Sequence, residues 1–254
     1  MKYNKKFYQN QTSRNAKIIV PIILQYVKPK SVLDVGCGVG YWLAEFKKYG
    51  LSIKGIDGHY VPSDEIVIPE KAFIRRDLSE GLSLQQSMYD MILCLEVMEH
   101  LPNEQSDQII KRMTELTPVI VFSAAIPGQG GTHHINEQWQ SYWSNLFKKY
   151  GYVRIDCLRK ELWDRDIEFC YKQNIFFYVD FKLISKYPDL ESHITSTEYV
   201  PCDIVHPQLY RHENIRSISL KRALGTILFL PRIILNSRRH KQSESSCISS
   251  NNNK

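Results

Sequence analysis

The stretch Ser31-Val-Leu-Asp-Val-Gly-Cys-Gly-Val-Gly-Tyr-Trp42 decides the fold of this 254-residue chain. It has the pattern of a buried strand that runs through a glycine-rich turn into a helix. Glycine has no Cβ, so three glycines at alternate positions let the backbone of the turn approach a ligand closely. The stretch therefore predicts a strand–turn–helix unit with a ligand site at the turn.

The spacing of the glycines indicates which ligand the turn binds. A dinucleotide-binding turn has the spacing G-x-G-x-x-G, whereas here Gly36, Gly38 and Gly40 follow one another at every second position. Asp34 stands just before them, where its carboxylate would repel a pyrophosphate but could accept a hydrogen bond from an ammonium group. The pattern resembles motif I of class I S-adenosylmethionine-dependent methyltransferases, whose methyl donor carries an amino-acid tail and a sulfonium.

The rest of the chain alternates between strand-like and helix-like segments. Strands are predicted at 31–35, 52–56, 72–76, 89–95, 119–123, 153–157 and 174–179, and helices at 15–27, 41–49, 103–116 and 137–150. Strands separated by helix-length segments form mostly parallel sheets with right-handed crossovers. We therefore predict an α/β fold: a Rossmann-like, seven-stranded, mostly parallel sheet with helices on both faces and a C-terminal extension.

Two further acidic residues end predicted strands. Asp57 ends the second strand, where its carboxylate could bind both hydroxyls of a ribose; the alternative is a turn aspartate before Gly58. Asp77 ends the third strand. The resemblance implies that Asp77 accepts a hydrogen bond from the adenine amino group, and a loop-capping role is the alternative.

The resemblance as a whole implies a set of residues that bind S-adenosylmethionine at the carboxyl ends of the first four strands, where ligands of such sheets lie. The set is Asp34, Gly36, Cys37, Gly38, Gly40, Tyr41, Asp57, Gly58, Asp77, Leu78, Leu95 and Glu96.

A second motif, Glu96-Val-Met-Glu-His100, follows the fourth strand. If Glu96 opens a helical turn, then Glu96, Glu99 and His100 project from one face. One interpretation is that the glutamates stabilise a helix N-terminus and the histidine packs; the other is a divalent-metal or acid–base cluster. The string resembles one that contributes metal ligands in quinone-precursor O-methyltransferases and small-RNA 2′-O-methyltransferases, although many relatives with similar strings use no metal.

The loop after the fifth strand adds His133 and His134 within a glycine-rich stretch. The ends of the fourth and fifth strands are neighbours in this topology, so the loop can face the glutamate–histidine motif. One of the two histidines is then a further ligand or a general base. We predict a catalytic group of His134, His100 and Glu99, and a site for Mg, Mn or Zn made by Glu96, Glu99, His100 and His133. The loop resembles a subgroup of bacterial methyltransferases found with surface-glycan biosynthesis.

The acceptor atom is predicted to be oxygen, or carbon, rather than an amide or adenine nitrogen. Methyltransferases that act on amide or adenine nitrogen are expected to carry N/D-P-P-Y/F after the fourth strand, and this chain has Glu96-Val-Met-Glu there. We therefore expect O-methylation of a small-molecule or glycan hydroxyl. Two alternatives stay open: an RNA 2′-O-methyltransferase, suggested by the basic ends of the chain, and a non-catalytic nucleotide-binding protein of the same fold.

The domain organisation is predicted from composition. A methyltransferase domain at 1–181 begins with a lid or helix in 1–14, an extension occupies 182–241, and the Ser/Asn-rich 242–254 is predicted to be a disordered tail. The segment 157–172 is expected to line the acceptor site or to be surface. The apolar, basic-flanked 220–241 is too short to span a bilayer and predicts either a peripheral membrane contact or a packed helix. No signal peptide opens the chain, so a cytoplasmic location is expected.

Overall fold

A computed structural model describes residues 13–82, 84, 88–194, 197 and 200–211. The chain divides into one compact unit at Met1–Leu209 and a second at Tyr210–Lys254. Most of the predicted lid in 1–14, the basic-apolar segment 220–241 and the tail 242–254 lie outside the described residues, so these assignments and the domain bounds stay predictions. Among the described residues, every helix is too short or too polar to cross a membrane.

A sheet of seven strands runs through the described part of the first unit. The strands are β1 (Ser31–Val35), β2 (Ser52–Asp57), β3 (Phe73–Arg75), β4 (Met91–Leu95), β5 (Val119–Ser123), β6 (Tyr152–Ile155) and β7 (Phe176–Asp180). Their order is β3-β2-β1-β4-β5-β7-β6. Strand β7 runs in the direction opposite to the other six strands of this sheet. The predicted mostly parallel, Rossmann-like sheet is confirmed.

Helices cover both faces of the sheet. They are α1 (Arg14–Tyr26), α2 (Tyr41–Lys48), α3 (Asn103–Thr114), α4 (Gln140–Lys149), α5 (Leu158–Leu162), α6 (Phe169–Asn174) and α7 (Pro188–Glu191). Successive strand residues point to opposite faces. Val32 accordingly packs in one apolar cluster with α1 and α2, and Leu33 packs in a second with α3 and α4. Both faces of β1 are buried, which explains its nearly continuous apolar sequence.

The topology places the ligand site between β1 and β4. The chain runs outward from β1 through β2 to β3 and then returns to the other side of β1 as β4. Crevices that bind ligands form at this kind of reversal, beyond the carboxyl ends of the strands. The glycine turn follows β1 and the glutamate–histidine motif follows β4, so both motifs lie at this crevice.

A buried arginine fastens part of the predicted extension to the sheet domain. Arg159 of α5 is paired with Asp156, and both side chains are buried. The same guanidinium donates to the carbonyls of Pro201 and Cys202, at 2.9 and 2.8 Å. Removing one partner of a buried ion pair leaves an uncompensated charge, which makes such a pair a strong structural constraint. The chain near residue 201 is therefore held against α5.

Helix α4 begins later than predicted, at Gln140 rather than at residue 137. Trp139 has extended backbone with ψ 153°, so the helical turn cannot include it. Glu137 lies in the preceding loop, where its carboxylate accepts hydrogen bonds from loop amides. The amide of Ser141, which would donate to the carbonyl of Glu137 in a longer helix, donates instead to Oδ1 of Asp203 at 2.7 Å.

Candidate active site

The glycine turn after β1 requires glycine for both conformation and space. Gly36, Gly38 and Gly40 have φ of 79°, 54° and 93°, a region that residues with side chains rarely adopt. A Cβ at Gly36 would lie 2.5 Å from a methyl carbon of Val97. The turn thus brings bare backbone against the segment that follows β4.

A cavity of about 550 Å³ opens above this turn. Its volume is within the usual range for small-molecule sites. Of the predicted donor-binding residues, those that line it are Asp34, Gly36, Cys37, Gly38, Tyr41, Leu95 and Glu96. Gly40, Asp57, Gly58, Asp77 and Leu78 are not among its lining residues. The opposite wall comes from the loop after β5 and from the start of α6.

Asp34 is a buried acid whose bonding is incomplete. Its Oδ2 has no hydrogen-bond partner among the described residues. Burial raises the pKa of this carboxyl to about 8, and the nearby charge of Asp57 adds to the rise. A buried carboxylate without a partner is costly, and a cationic ligand group would remove that cost. The site therefore fits the ammonium of an amino-acid tail.

Asp57 ties the glycine turn to the end of β2. Its Oδ2 accepts from the amide of Gly38 at 2.7 Å, and its Oδ1 accepts from the amide of Gly58 at 2.6 Å. Burial raises the pKa of Asp57, and these two amides and the side chain of Tyr60 oppose the rise. The ring of Tyr60 covers Gly58, since a Cβ there would lie 2.1 Å from it. Sequence reasoning missed Tyr60, because a tyrosine in a polar loop carries no motif.

Asp77 has the loop-capping contacts that the sequence left as one alternative. Its Oδ1 accepts from the amide and the hydroxyl of Ser79, at 2.8 and 2.6 Å, and caps a short 3-10 helix at Leu78–Glu80. The adenine contact of Asp77 stays a prediction.

We expect Asp57→Ala to weaken binding of S-adenosylhomocysteine, the demethylated donor, at least tenfold, or about 1.4 kcal/mol. The variant removes the predicted ribose acceptor and also the acceptor of the Gly38 amide. Calorimetric titration measures the affinity. Asp107→Ala, which removes an exposed carboxylate paired with Lys149, is the matched control. Equal affinities of the two variants would remove the ribose assignment.

Glu96 does not have the helical backbone that was considered for it from the sequence. It has left-handed backbone with φ 53°, so it does not open a helical turn; the short helix after β4 is Met98–His100. Its carboxylate accepts from Gln129 Nε2 at 2.7 Å and from Asn174 Nδ2 at 3.3 Å. Burial raises the pKa of Glu96, and these amides oppose the rise. These amides belong to the loop after β5 and to α6. Spacing along the sequence does not predict such tertiary contacts.

Glu99, His100 and His134 form the cluster at this end of the cavity. One side-chain ligand atom from each lies within 4.8 Å of the others. The two imidazoles meet edge to face, with ring centroids 4.8 Å apart. These are the three residues predicted as the catalytic group, and the structure brings them together at the cavity wall. Their catalytic role stays a prediction.

Glu99 is the most buried member of this cluster. It is 0% exposed, and neither carboxylate oxygen completes a hydrogen bond within the described residues. Burial holds its pKa well above the ordinary value, and the charge of Glu96 adds to the rise. The amides of Glu99 and Ala125 offset part of this rise without reaching full hydrogen-bond geometry. The carboxylate is thus oriented by packing and suited to a proton or a cation.

The cluster of described residues differs from the predicted metal set in two members. His133 has φ 61° and an exposed side chain, and its carbonyl oxygen lies 3.4 Å from Nδ1 of His100. His134 takes the place in the cluster that was predicted for His133. Glu96 is also outside the cluster of described residues, because its carboxylate is bonded to the two amides. The sequence alone does not show which of two adjacent histidines faces the cluster, because that depends on the backbone angles.

Glu168, Phe169, Cys170 and Tyr171 line another wall of the cavity, and they lie within the segment 157–172 that was predicted to line the acceptor site. The middle of that segment, 163–166, is not part of the lining. Four carboxylates line the cavity, from Asp34, Glu96, Glu99 and Glu168, and its described lining contains no lysine or arginine. Such a site favours cationic or neutral ligands over anionic ones.

A family model for a methyltransferase domain matches residues 8–168. The chain belongs to this methyltransferase family. The glycine turn and the partnerless Asp34 oxygen provide a fitting site for S-adenosylmethionine, the donor that the sequence predicts. The methyltransferase is 28% identical over 101 residues to a ubiquinone biosynthesis O-methyltransferase of Salmonella newport, an alignment that covers 35% of this chain. The chain spans 42% of the length of this relative.

Two solved structures are similar to the methyltransferase in fold. One is a SAM-dependent methyltransferase of Archaeoglobus fulgidus, with 20% identity, TM-score 0.48, and 59% of this chain and 75% of that chain covered. The other is magnesium protoporphyrin IX methyltransferase of Synechocystis with bound SAM, with 19% identity, TM-score 0.46, and 66% and 78% covered.

Proposed function

We propose that this methyltransferase transfers the methyl group to a hydroxyl oxygen of a small-molecule or glycan acceptor. The observation that carries the proposal is the cluster of Glu99, His100 and His134 at the wall of the donor cavity. A hydroxyl is a weak nucleophile and must lose its proton as it reacts, whereas a neutral amine needs no such group. The sequence after β4 also lacks the tetrad expected for amide or adenine nitrogen acceptors.

The residues of the chain have separate tasks in this reaction. When bound, S-adenosylmethionine supplies an activated methyl group on a sulfonium sulfur. Asp34 binds the amino-acid tail, and the glycine turn holds the donor against β4. His134 or Glu99 accepts the proton of the hydroxyl, whose oxygen forms the new bond to carbon while the carbon–sulfur bond breaks. The cavity walls hold the reacting atoms in line.

The same cluster fits a divalent cation. A buried carboxylate and two imidazoles are a donor set that Mn or Zn accepts, and it leaves positions for the acceptor. The unpartnered oxygens of Glu99 are the observation in favour of a cation. A bound cation would supply Lewis acidity that lowers the pKa of the acceptor hydroxyl. Glu99, His100 and His134 would hold it.

The charge of the cavity favours a neutral acceptor over RNA. A polynucleotide brings several phosphates, and its affinity comes largely from lysine and arginine contacts. The described cavity lining contains no lysine or arginine and offers four carboxyl groups instead. We therefore place the small-molecule or glycan acceptor ahead of the RNA alternative.

The decisive experiment identifies the atom that receives the methyl group. Purified enzyme and S-adenosylmethionine with a ¹³C-labelled methyl are incubated with a small-molecule extract, and the products are read by NMR. The methyl carbon shift distinguishes O-methyl, N-methyl and C-methyl products. We expect an O-methyl signal that depends on active enzyme. A product labelled on nitrogen or carbon would contradict the proposal.

The two adjacent histidines should respond differently to substitution. His134→Asn removes a ring that contacts the cluster, and we expect kcat to fall by about 10- to 100-fold. His133→Asn is the matched control, because asparagine tolerates the left-handed backbone of that position, and kcat should stay within about threefold of wild type. Steady-state kinetics on the labelled acceptor measure both. The reverse order of effects would assign the role to His133.

A further inference from the structure

Glu137 accepts hydrogen bonds from the loop that carries the histidines. Its Oε2 accepts from the amide of Gly128 at 2.8 Å, and its Oε1 accepts from the amide of Gly130 at 3.1 Å. The same Oε1 lies 2.9 Å from Nδ1 of His134. The side chains of Glu137 and His134 are 21% and 12% exposed, so water competes only weakly for these bonds. One carboxylate therefore sets both the path of the loop and the contact of the ring.

The chemistry of this contact fixes the position of the imidazole proton. An ionised carboxylate only accepts hydrogen bonds, so the nitrogen that faces it must carry a hydrogen. With the proton on Nδ1, the lone pair of a neutral imidazole is on Nε2. Histidines that bind metals or take up protons are commonly held in this way by an acid or carbonyl on the other nitrogen.

The surroundings of Nε2 include a close approach of the backbone. A Cβ built at Gly131 would lie 2.2 Å from Nε2 of His134 and 2.4 Å from the neighbouring ring carbon. The Cα of Gly131 thus lies beside Nε2, and this close approach depends on the absence of a side chain at residue 131.

We propose that Glu137 is a positioning residue that holds His134 in the Nδ1–H tautomer, so that Nε2 is the atom presented to the acceptor proton or to a cation. This inference rests on the proposed function, because that function gives Nε2 of His134 its role. The tautomer itself can be measured without donor, acceptor or cation.

The substitution Glu137→Gln tests the electronic role while conserving shape. A carboxamide has one accepting oxygen and one donating nitrogen. If its oxygen serves Gly130 and His134, its nitrogen meets the amide hydrogen of Gly128. If it is reversed, its nitrogen faces His134 Nδ1, which then has to accept, and the proton moves to Nε2. Either arrangement weakens the hold on the Nδ1–H tautomer.

The readout is imidazole ¹⁵N NMR of the cation-free enzyme at a pH where His134 is neutral. We expect Nδ1–H in wild type and at least a tenfold lower ratio of Nδ1–H to Nε2–H in Glu137→Gln. Glu115→Gln, which removes a half-exposed carboxylate paired with Arg112, should leave the ratio unchanged. A wild-type His134 protonated on Nε2 would overturn the proposal, and that result needs no variant to fold.

Cation affinity supplies a second readout. Titration with Mn²⁺ should show roughly 10- to 100-fold weaker binding in Glu137→Gln, the usual cost of losing such an outer partner. A variant Glu137→Gln that keeps the wild-type ratio refutes the role of Glu137. A changed ratio with full O-methyl transfer refutes only the proposed role of the cluster.

Discussion

Replacing Glu99 by glutamine is expected to lower kcat at least about 100-fold, the range typical of lost proton-transfer groups. The affinity for S-adenosylhomocysteine should stay within about threefold, because Glu99 belongs to the cluster after β4 and the donor tail binds at the turn after β1. Thermal stability should be unchanged or higher, since the variant removes a buried acid with no hydrogen-bond partner among the described residues. Loss of activity together with retained stability is typical of functional residues that are costly to the fold.

Kinetics, calorimetry and thermal unfolding test these three statements about Glu99. Glu104→Gln, at an exposed position in the first turn of α3, is the matched control and should resemble wild type in all three. Treating wild type with a chelator is expected to lower turnover as well. Full activity in chelator would leave Glu99 and His134 as proton acceptors alone, and near-normal kcat in Glu99→Gln would refute the cluster.

Replacing Asp34 by asparagine should weaken donor binding about 100-fold, or about 2.7 kcal/mol. The carboxylate is the predicted partner of the ammonium group of the donor, and a neutral amide also directs two N–H donors into the cavity. The distinguishing measurement is pH dependence. The pKa of Asp34 in the free enzyme is about 8, so binding of an ammonium group has to release its proton.

The direction of this pH dependence follows from the coupling between donor binding and the loss of the Asp34 proton. Affinity for S-adenosylhomocysteine should increase with pH, by up to about tenfold per unit, and level off above about pH 8. Asp34→Asn should show no such slope over the same window. Calorimetry in buffers of different ionisation enthalpy also counts the released proton. An equal slope in the variant, or none in wild type, would remove the ammonium assignment.

The same shift predicts how the stability of the free enzyme depends on pH. Between the ordinary value of 3.8 and about 8, folded Asp34 keeps a proton that the unfolded chain has lost. Its contribution to the free energy of unfolding is therefore complete below the lower value and is lost as pH rises through the upper one. The stability advantage of Asp34→Asn should grow across this interval in urea unfolding.

Local patterns were sufficient to predict the sheet. The predicted bounds of β1 and β5 match the structure, because each is a short apolar run between polar turns. The glycine turn was also predictable, since residues with side chains rarely adopt its backbone angles. The start of α4 was predicted wrongly because a distant side chain replaces a helical hydrogen bond there: Asp203 accepts from the amide of Ser141.

The cluster was predictable in composition but not in arrangement. Glu99 and His100 are neighbours in sequence, and the position of β5 beside β4 brings a histidine loop to them. His134 rather than His133 belongs to the cluster because His133 has a left-handed backbone. Glu96 lies outside the cluster because Gln129 and Asn174 bond its carboxylate. These are tertiary contacts, and spacing along the chain does not encode them.

The placement of β7 has a consequence for synthesis of the chain. This strand is the last of the seven to leave the ribosome, yet it is inserted between β5 and β6. Until Phe176–Asp180 emerges, β6 has no hydrogen-bonded neighbour and β5 offers an open apolar edge, which is a template for aggregation. The family match ends at residue 168, so a fragment cut there would lack the strand that closes the sheet.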